Sequence, residues 1–140
     1  MPKRKHLNLF ASLLLLLFVT DLNAKIKYKH RHHARGTATY YATKYEGRKT
    51  ATGDVFSNSG YTAASNKFNL GVYARVTNLG NGKKVYVKIN DRMGDVDRVI
   101  DLTHAAANRL GFLKQGTARV KVKVVRPGKG KRKIRRQLRH

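Results

Sequence analysis

Two aspartates stand where a site for acid–base chemistry would need them. Asp91 ends the apolar, β-prone run at residues 87–90, and Asp54 lies upstream in a turn-rich segment. The chain holds seven acidic residues against 31 basic ones, so each carboxylate has to be explained. Paired carboxyl groups divide proton transfer and charge stabilisation between them when a glycosidic bond is cleaved. The pair therefore predicts a polysaccharide-cleaving site.

Structural roles are the alternatives for these two carboxylates, and they are predicted for the remaining acids nearby. Asp91 can instead cap a turn, and Thr-Gly-Asp at residues 52–54 is also an ordinary turn sequence. Asp101 precedes a predicted helix and is expected to accept hydrogen bonds from its first amides. Asp95 and Asp97 follow closely, but no Glu completes a calcium loop and the spacing does not fit an EF-hand. We therefore predict a solvated loop there and no metal site.

The elements that must hold these residues are predicted to be mostly short β-strands. Alternating or β-branched runs predict strands at residues 36–41, 72–77, 84–89, 98–100 and 117–124. Asn81-Gly82 predicts a hairpin between the second and third of these. One helix is expected over residues 104–110, between an N-capping Thr103 and a C-terminal Gly111. With about six strands in all, the pattern favours a small β-barrel with one short helix.

The chain is long enough for one domain, which we place at residues 36–125. Residues 1–24 hold early basic residues, an apolar stretch of about 11 residues and a small residue at the end, which predicts a cleaved secretory signal peptide. The alternative is an uncleaved membrane anchor, although a spanning helix needs roughly 20 apolar residues. The sequence contains no cysteine, which excludes disulfides and cysteine lipidation. We expect an exported protein, soluble in the periplasm or cell envelope.

The flanks of the predicted domain are strongly basic. Residues 25–35 hold five Lys or Arg and three His, and residues 126–140 hold eight Lys or Arg and no acid. Because such segments bury little apolar surface, we predict a disordered basic linker and a disordered basic tail. Their charge would attract anionic wall polymers, membrane surfaces or nucleic acid. We interpret His30, His32 and His33 as part of this linker and not as metal ligands.

Several short segments together resemble the RlpA-like septal lytic transglycosylases, whose fold is a double-psi β-barrel. They follow the family's order and spacing at residues 36–41, 47–54, 61–64, 75–79, 81–82, 87–92, 98–103, 105–107 and 110–111. The resemblance implies a six-stranded double-psi β-barrel that cleaves the MurNAc–GlcNAc bond of peptidoglycan glycan strands without water. The products would carry 1,6-anhydro-MurNAc ends, and the preferred strands would lack stem peptides. We expect a monomer that uses no cofactor.

The resemblance also implies that Asp91 and Asp54 are the catalytic acids, and we expect Asp91 to be the acid and base and Asp54 the second group. Asp54 stands where the family usually has Glu, and Ser65 stands where it often has His; Met93-Gly94 replaces the usual Gly-Pro. Substrate contacts are expected from two tyrosines and five polar residues, namely Tyr40, Tyr41, Thr50, Thr52, Ser65, Asn90 and Arg92. The tyrosines would stack on sugar faces, although strand alternation can turn one of an adjacent pair into the core.

Two other classes of function are consistent with the sequence. A barrel of this fold without catalytic activity would bind peptidoglycan or another polysaccharide, as expansin-like modules do, and the residues at positions 54 and 65 favour this alternative. A secreted toxin or polyanion-binding protein would instead work through the basic flanks, with the barrel as a scaffold. Release of anhydro sugars from glycan strands distinguishes the enzyme from both.

Overall fold

Six strands close into a barrel in the computed structural model, which describes residues 32–94 and 96–140. The strands are β1 (His33–Tyr40), β2 (Thr62–Ala64), β3 (Tyr73–Asn78), β4 (Lys84–Asp91), β5 (Ile100–Leu102) and β6 (Ala118–Val125). Helix α1 (His104–Arg109) precedes β6, helix α2 (Pro127–Gln137) follows it, and a short 3-10 helix (Thr43–Tyr45) follows β1. The order around the barrel is β1-β5-β2-β4-β3-β6. The predicted six-stranded β-barrel is confirmed.

Two parallel strand pairs determine which residues meet at one end of the barrel. Strand β2 pairs in parallel with β4, and β1 pairs in parallel with β5, while the remaining neighbours are antiparallel. Ala64 is the register partner of both Asp91 and Asp101, and Asp101 is in turn the partner of Thr39. The register therefore brings the C-terminal ends of β1 and β4 close together across β5 and β2, where Asp91 is placed.

The barrel interior follows from the period-two alternation of the longer strands. Along β3, β4 and β6 every second side chain is buried over most of the strand, as expected for a sheet with one solvated face. The buried side chains are mainly branched and include Val76, Val85, Val87, Ile89, Val120 and Val122. Helix α1 completes this core with Ala106, Ala107 and Leu110. The strand positions predicted from alternation agree with the structure to within a few residues.

Helix α1 begins and ends at the predicted residues. The Thr103 hydroxyl accepts a hydrogen bond from the Ala106 amide at 3.4 Å, which makes Thr103 the N-cap. Gly111 has a φ of +74°, the left-handed conformation that commonly terminates a helix. Asn78, at the end of β3, donates to the Leu110 carbonyl at 2.9 Å and so fixes the end of the helix to the barrel.

The prediction of a disordered tail over residues 126–140 is wrong for residues 127–137, which form α2. Pro127 at the first turn favours helix initiation, and Lys and Arg are good helix formers. Gly130 packs directly on Tyr73, since an added Cβ would lie 2.3 Å from the Tyr73 Cβ. The Gln137 side chain accepts from the Tyr86 amide and donates to the Tyr86 carbonyl, both at 2.8 Å. Charge alone did not reveal this packed face.

The predicted basic linker also differs from the structure at its end. Strand β1 begins at His33, which pairs with Lys123 of β6, so residues 33–35 belong to the barrel. The predicted signal peptide at residues 1–24, most of the linker and His30 lie outside the described residues. Among the residues that are described, none of the helices has the length and apolar character needed to cross a bilayer.

Candidate active site

Asp91 ends β4, and three donors hold its carboxylate in place. The amides of Ala51 and Arg92 both donate to Oδ1 at 2.9 Å. The Tyr41 hydroxyl donates to Oδ2, also at 2.9 Å. These partners come from the loop after β1, from a turn some 40 residues upstream and from the next residue in the chain. Asp91 is partly exposed, and the hydrogen bonds to both of its carboxylate oxygens fix its rotamer.

The turn at residues 50–54, here called the acid turn, carries the second carboxylate. The Thr50 amide donates to the Asp54 carbonyl at 2.8 Å, and the Gly53 amide donates to the Thr50 carbonyl at 2.9 Å. Gly53 has a φ of +85°, a conformation that residues with a Cβ adopt only under strain. The Thr52 amide donates to the Asn90 carbonyl at 3.2 Å. The acid turn is therefore bonded to the end of β4 at both of its last two residues, Asn90 and Asp91.

The Asp54 carboxylate is kept ionised by its neighbours. Its Oδ2 accepts hydrogen bonds from Asn90 Nδ2 at 3.2 Å and from the Thr52 hydroxyl at 2.9 Å. Lys88 Nζ lies 4.0 Å away. These contacts lower the pKa of Asp54 below its ordinary value, the Asn90 bond most, then the Thr52 bond and then the Lys88 charge. With 48% of its side chain exposed, Asp54 is an accessible negative charge on the turn that also binds Asp91.

Tyr41 is the residue whose role the sequence did not indicate, because its main contact is with a residue 50 positions away. Its ring lies against Phe56, with the ring centroids 4.3 Å apart, and edge-on to Tyr45 at 6.0 Å. Burial, followed by the hydrogen bond to Asp91 and its charge, raises the pKa of Tyr41 far above the usual range for tyrosine. The hydroxyl therefore stays protonated and donates to Asp91. We assign Tyr41 to positioning this carboxylate, where the sequence predicted sugar stacking.

The side chain of Tyr40 points away from this site and towards the core, contrary to the prediction that it contacts substrate. Its ring packs on the core, edge-on to His104 at 4.9 Å and against Phe112 at 6.1 Å between centroids. Its hydroxyl donates to the Leu113 carbonyl at 2.9 Å. Alternation at the end of β1 thus turns one tyrosine of the pair inward and leaves the other beside Asp91.

Ser65 and Arg92 are likewise used within the protein. Ser65 is 0% exposed, and its hydroxyl donates to the Val99 carbonyl at 2.7 Å and accepts from the Lys67 amide at 3.1 Å. Arg92 Nη1 donates to the carbonyls of Ser65 and Phe68. Ser65 therefore cannot meet a substrate, and Arg92 ties the loop after β2 to the end of β4. Their predicted substrate contacts are not supported by these positions.

The remaining predicted contact residues surround the two carboxylates. Thr50 is buried, with its hydroxyl 3.1 Å from that of Thr52, whereas Thr52 is exposed at the site. Asn90 is buried, and its Oδ1 has no hydrogen-bond partner in the described part of the chain. Of these three residues, Thr52 is therefore exposed to a ligand, whereas Thr50 and Asn90 are buried and stabilise the acid turn.

Asp101 has a structural role, but its partners differ from the prediction. Its Oδ1 accepts from the Thr39 hydroxyl at 2.5 Å, and Arg98 binds both carboxylate oxygens, at 2.9 and 3.1 Å. The first amide of α1, that of His104, donates instead to Asn58 Oδ1 at 3.1 Å. Asp101 therefore links β1 and β5 and does not cap the helix. Within residues 32–94 and 96–140, no three His, Cys, Asp or Glu side chains are grouped as metal ligands.

Comparison with known proteins agrees with this arrangement. Residues 33–122 match the family model described as lytic transglycolase. The chain belongs to this family. The endolytic peptidoglycan transglycosylase RlpA of Pseudomonas aeruginosa is 52% identical over 93 residues, which cover 66% of this chain and 27% of the relative. The chain thus spans about a quarter of the length of that lytic transglycosylase, and α2 follows the matched residues.

Solved structures with the same fold include two of different kinds. A Streptomyces papain inhibitor is 28% identical with a TM-score of 0.54, covering 67% of this chain and 94% of its own. A Clavibacter michiganensis expansin in complex with cellohexaose is 19% identical with a TM-score of 0.53, covering 67% of this chain and 50% of its own. The predicted double-psi β-barrel is confirmed by this family membership and by these neighbours.

Proposed function

We propose that this domain is an exported lytic transglycosylase that cleaves peptidoglycan glycan strands. The observation that supports the proposal best is that one turn holds both carboxylates at the end of β4. The Ala51 amide of the acid turn binds Asp91, and the same turn carries Asp54. This arrangement supports a site in which both acids act together. The relative named above is an endolytic peptidoglycan transglycosylase, which gives the substrate class.

In the proposed reaction Asp91 carries the proton in both directions. Its protonated carboxyl group donates to the glycosidic oxygen as the bond from MurNAc C1 to that oxygen breaks. The resulting carboxylate then takes the proton of the MurNAc C6 hydroxyl, whose oxygen bonds to C1 and closes the anhydro ring. No water is consumed, and Asp91 ends the cycle protonated. Among the described contacts Oδ2 has one donor, Tyr41, which leaves a lone-pair position for the travelling proton.

Asp54 supplies the second charge. Because its pKa is lowered, it is ionised at neutral pH and cannot be the proton donor. An ionised carboxylate next to the reacting sugar stabilises the positive charge that develops at C1. In this mechanism the two acids have different functions, charge stabilisation for Asp54 and proton transfer for Asp91.

Digestion of purified glycan strands tests the proposal. Wild-type protein should release products with 1,6-anhydro-MurNAc ends, detected by mass spectrometry, and Asp91→Asn should release none above background. The Asn side chain can keep its oxygen towards the Ala51 and Arg92 amides, so the variant should fold normally. Asp97→Asn, in an exposed loop position, is the matched control and should cleave as wild type. Products that persist in Asp91→Asn, or hydrolysed ends in place of anhydro ends, would contradict the mechanism.

A polysaccharide-binding barrel without cleavage is the second candidate. It is favoured by the cellohexaose complex of the expansin neighbour and by the three hydrogen bonds that give Asp91 a turn-fixing role. If wild-type protein binds glycan strands but releases no anhydro products, this function replaces the first. The predicted signal peptide supports export of either activity to the cell envelope or periplasm, and a reporter fused to residues 1–24 should be exported if this is right.

A further inference from the structure

An open groove of about 380 Å³ lies between α2 and the outer face of the barrel. We call it the α2 groove. It is lined by Tyr61, Thr62, Tyr73 and Lys88 of the barrel and by Lys131, Ile134, Arg135 and Leu138 on or just after α2. The matched family segment ends at residue 122, so one wall of the groove is formed by residues that follow it.

The α2 groove and the candidate active site share one residue, Lys88. Lys88 is the register partner of Thr62 on β2 and of Tyr73 on β3, so these three side chains form a row on the outside of the barrel. The Nζ atom of Lys88 also lies 4.0 Å from Asp54 Oδ2. One lysine therefore borders both the groove and the acid turn. A chain-like ligand bound at Asp54 and Asp91 can extend into the groove.

The lining of the α2 groove suits an acidic saccharide. Tyr61 and Tyr73 are half-buried residues that line the groove, although Tyr61 also packs against the core and Tyr73 also packs against Gly130. Aromatic side chains of this kind are suited to contacts with sugar rings, and Leu138 adds an apolar residue that is 58% exposed. Lys131 and Arg135 add two exposed cations. The described part of the chain contains two ion pairs, Lys88–Asp54 and Arg98–Asp101, and neither neutralises a residue of α2.

The groove wall is held rigidly, which a binding site requires. Gly130 contacts Tyr73 so closely that no larger residue fits without displacing α2. Gln137 binds the main chain of Tyr86 twice, at a position where β4 has β3 on one side and no partner strand on the other. These two contacts fix the helix on β3 and β4 and set the distance between its cations and the tyrosines.

We propose that the α2 groove is a subsite for the carboxylate-bearing part of the same glycan strand that reaches Asp54 and Asp91. The inference rests on the proposed function for the identity of the strand. Lys131 and Arg135 bind carboxylates of the strand, and the tyrosine rings contact its sugars. An anionic bilayer or a nucleic acid would instead meet the outer face of α2, where Arg132 and Arg139 lie; Arg135 borders both this face and the groove.

Binding, measured separately from cleavage, tests the subsite. Labelled glycan strands with free lactyl carboxylates are titrated against Asp91→Asn protein by fluorescence anisotropy, alongside the same strands with those carboxylates converted to amides. The double variant Lys131→Gln/Arg135→Gln removes two charges from the groove. Arg132→Gln/Arg139→Gln removes two charges from the outer face and is the matched control. Because exposed ion pairs contribute up to about 1 kcal/mol each, the groove variant should bind acidic strands roughly five- to tenfold more weakly.

The expected pattern is specific to the groove and to the carboxylates. Amidated strands should bind both variants about equally, and the control variant should lose less than about twofold on acidic strands, because its charges act only at a distance. Equal losses in the two variants would show a diffuse effect of net charge and overturn the subsite, as would no loss in either. Anionic vesicles or duplex DNA that bind through Lys131 and Arg135 while strand binding is unchanged would overturn it too.

The same series separates failure of the subsite from failure of the proposed function. Wild-type protein that releases anhydro products but shows no groove-specific loss in binding refutes the subsite and leaves the enzyme intact. Groove-specific binding without anhydro products refutes cleavage and leaves the subsite. If acidic strands do not bind at all, both are refuted.

Discussion

Replacing Tyr41 with Phe removes one hydroxyl and leaves the ring. That hydroxyl donates to Asp91 Oδ2 at 2.9 Å, while the ring lies against Phe56 and Tyr45. Burial and the neighbouring carboxylate raise the pKa of Tyr41, so the lost group is a protonated donor at any pH where the enzyme would work. The substitution thus tests whether Asp91 needs its third contact to be catalytically competent.

The expected size follows from the kind of hydrogen bond. A hydrogen bond to a charged group contributes about 1.5–3 kcal/mol, and a partly buried one lies at the lower end, so unfolding should become easier by about 1–2 kcal/mol. Asp91 keeps two amide donors, but both bind Oδ1, so the plane of the carboxylate is less restrained. A misplacement approaching 1 Å lowers a rate by up to about a hundredfold. We expect a ten- to hundredfold loss in rate at saturating glycan, with little change in glycan binding.

Tyr40→Phe is the matched control, since it removes a hydroxyl from the adjacent residue. The lost hydrogen bond, to the Leu113 carbonyl at 2.9 Å, is to a neutral acceptor and contributes about 1 kcal/mol. Both variants should therefore be destabilised in urea or thermal unfolding, and Tyr41→Phe alone should lose activity. The rates are initial rates of anhydro-product release, with binding measured in the Asp91→Asn background. Wild-type activity in Tyr41→Phe, or an equal loss in Tyr40→Phe, would refute the positioning role.

Four further outcomes are expected. Because the pKa of Asp54 is lowered in the folded state, its contribution to stability is present above about pH 4 and is lost as the pH falls below that. The stability difference between wild type and Asp54→Asn, below about 1 kcal/mol for so exposed a group, should therefore vanish in acid unfolding titrations. Tyr41 should show the opposite pH dependence, because its pKa is raised in the folded state. Its contribution to folding stability is complete below about pH 10 and is lost as the pH rises further, so Tyr41→Phe should lose less stability in alkali than wild type does. Gly130→Ala places a Cβ 2.3 Å from that of Tyr73, so it should release α2 from the barrel and expose the helix to limited trypsin digestion. Gln137→Ala removes two hydrogen bonds and should lower the free energy of unfolding by about 2 kcal/mol. Unchanged trypsin resistance in Gly130→Ala would show that α2 docks differently.

Much of the fold could be predicted because its determinants are local. Alternation in β3, β4 and β6 follows directly from residue order, and the Thr103 cap and Gly111 terminator mark the ends of α1. The short strand β2 has too few residues to show a period, and its place in the sheet depends on β4 and β5. Helix α2 was not predicted because its sequence is dominated by charged residues. Its packed face consists of Gly130, Ile134 and Gln137, which have helical spacing, but two of these three residues are not hydrophobic and so give no hydropathy signal.

The site was predictable in its acids and not in their surroundings. The scarcity of carboxylates and the β-run before it singled out Asp91, and the turn sequence singled out Asp54. Neither feature indicates which neighbours would bind them. The hydroxyl of Tyr41 and the amide of Ala51 reach Asp91 across 50 and 40 residues, and the burial of Ser65 depends on the Val99 carbonyl 34 residues away. Such contacts arise from the closure of the barrel and have no local signal.

The acid turn makes the two carboxylates one structural unit with two chemical functions. Its amides bind the end of β4 at Asn90 and Asp91, and Asn90 in turn donates to Asp54, so neither acid can shift without the other. The hydrogen-bond partners of the two carboxylates nevertheless differ. Asp54 receives side-chain donors and a lysine charge at one exposed oxygen and stays ionised. In the proposed reaction an ionised Asp54 stabilises positive charge while Asp91 transfers the proton, so the loss of either acid should abolish a different part of the reaction.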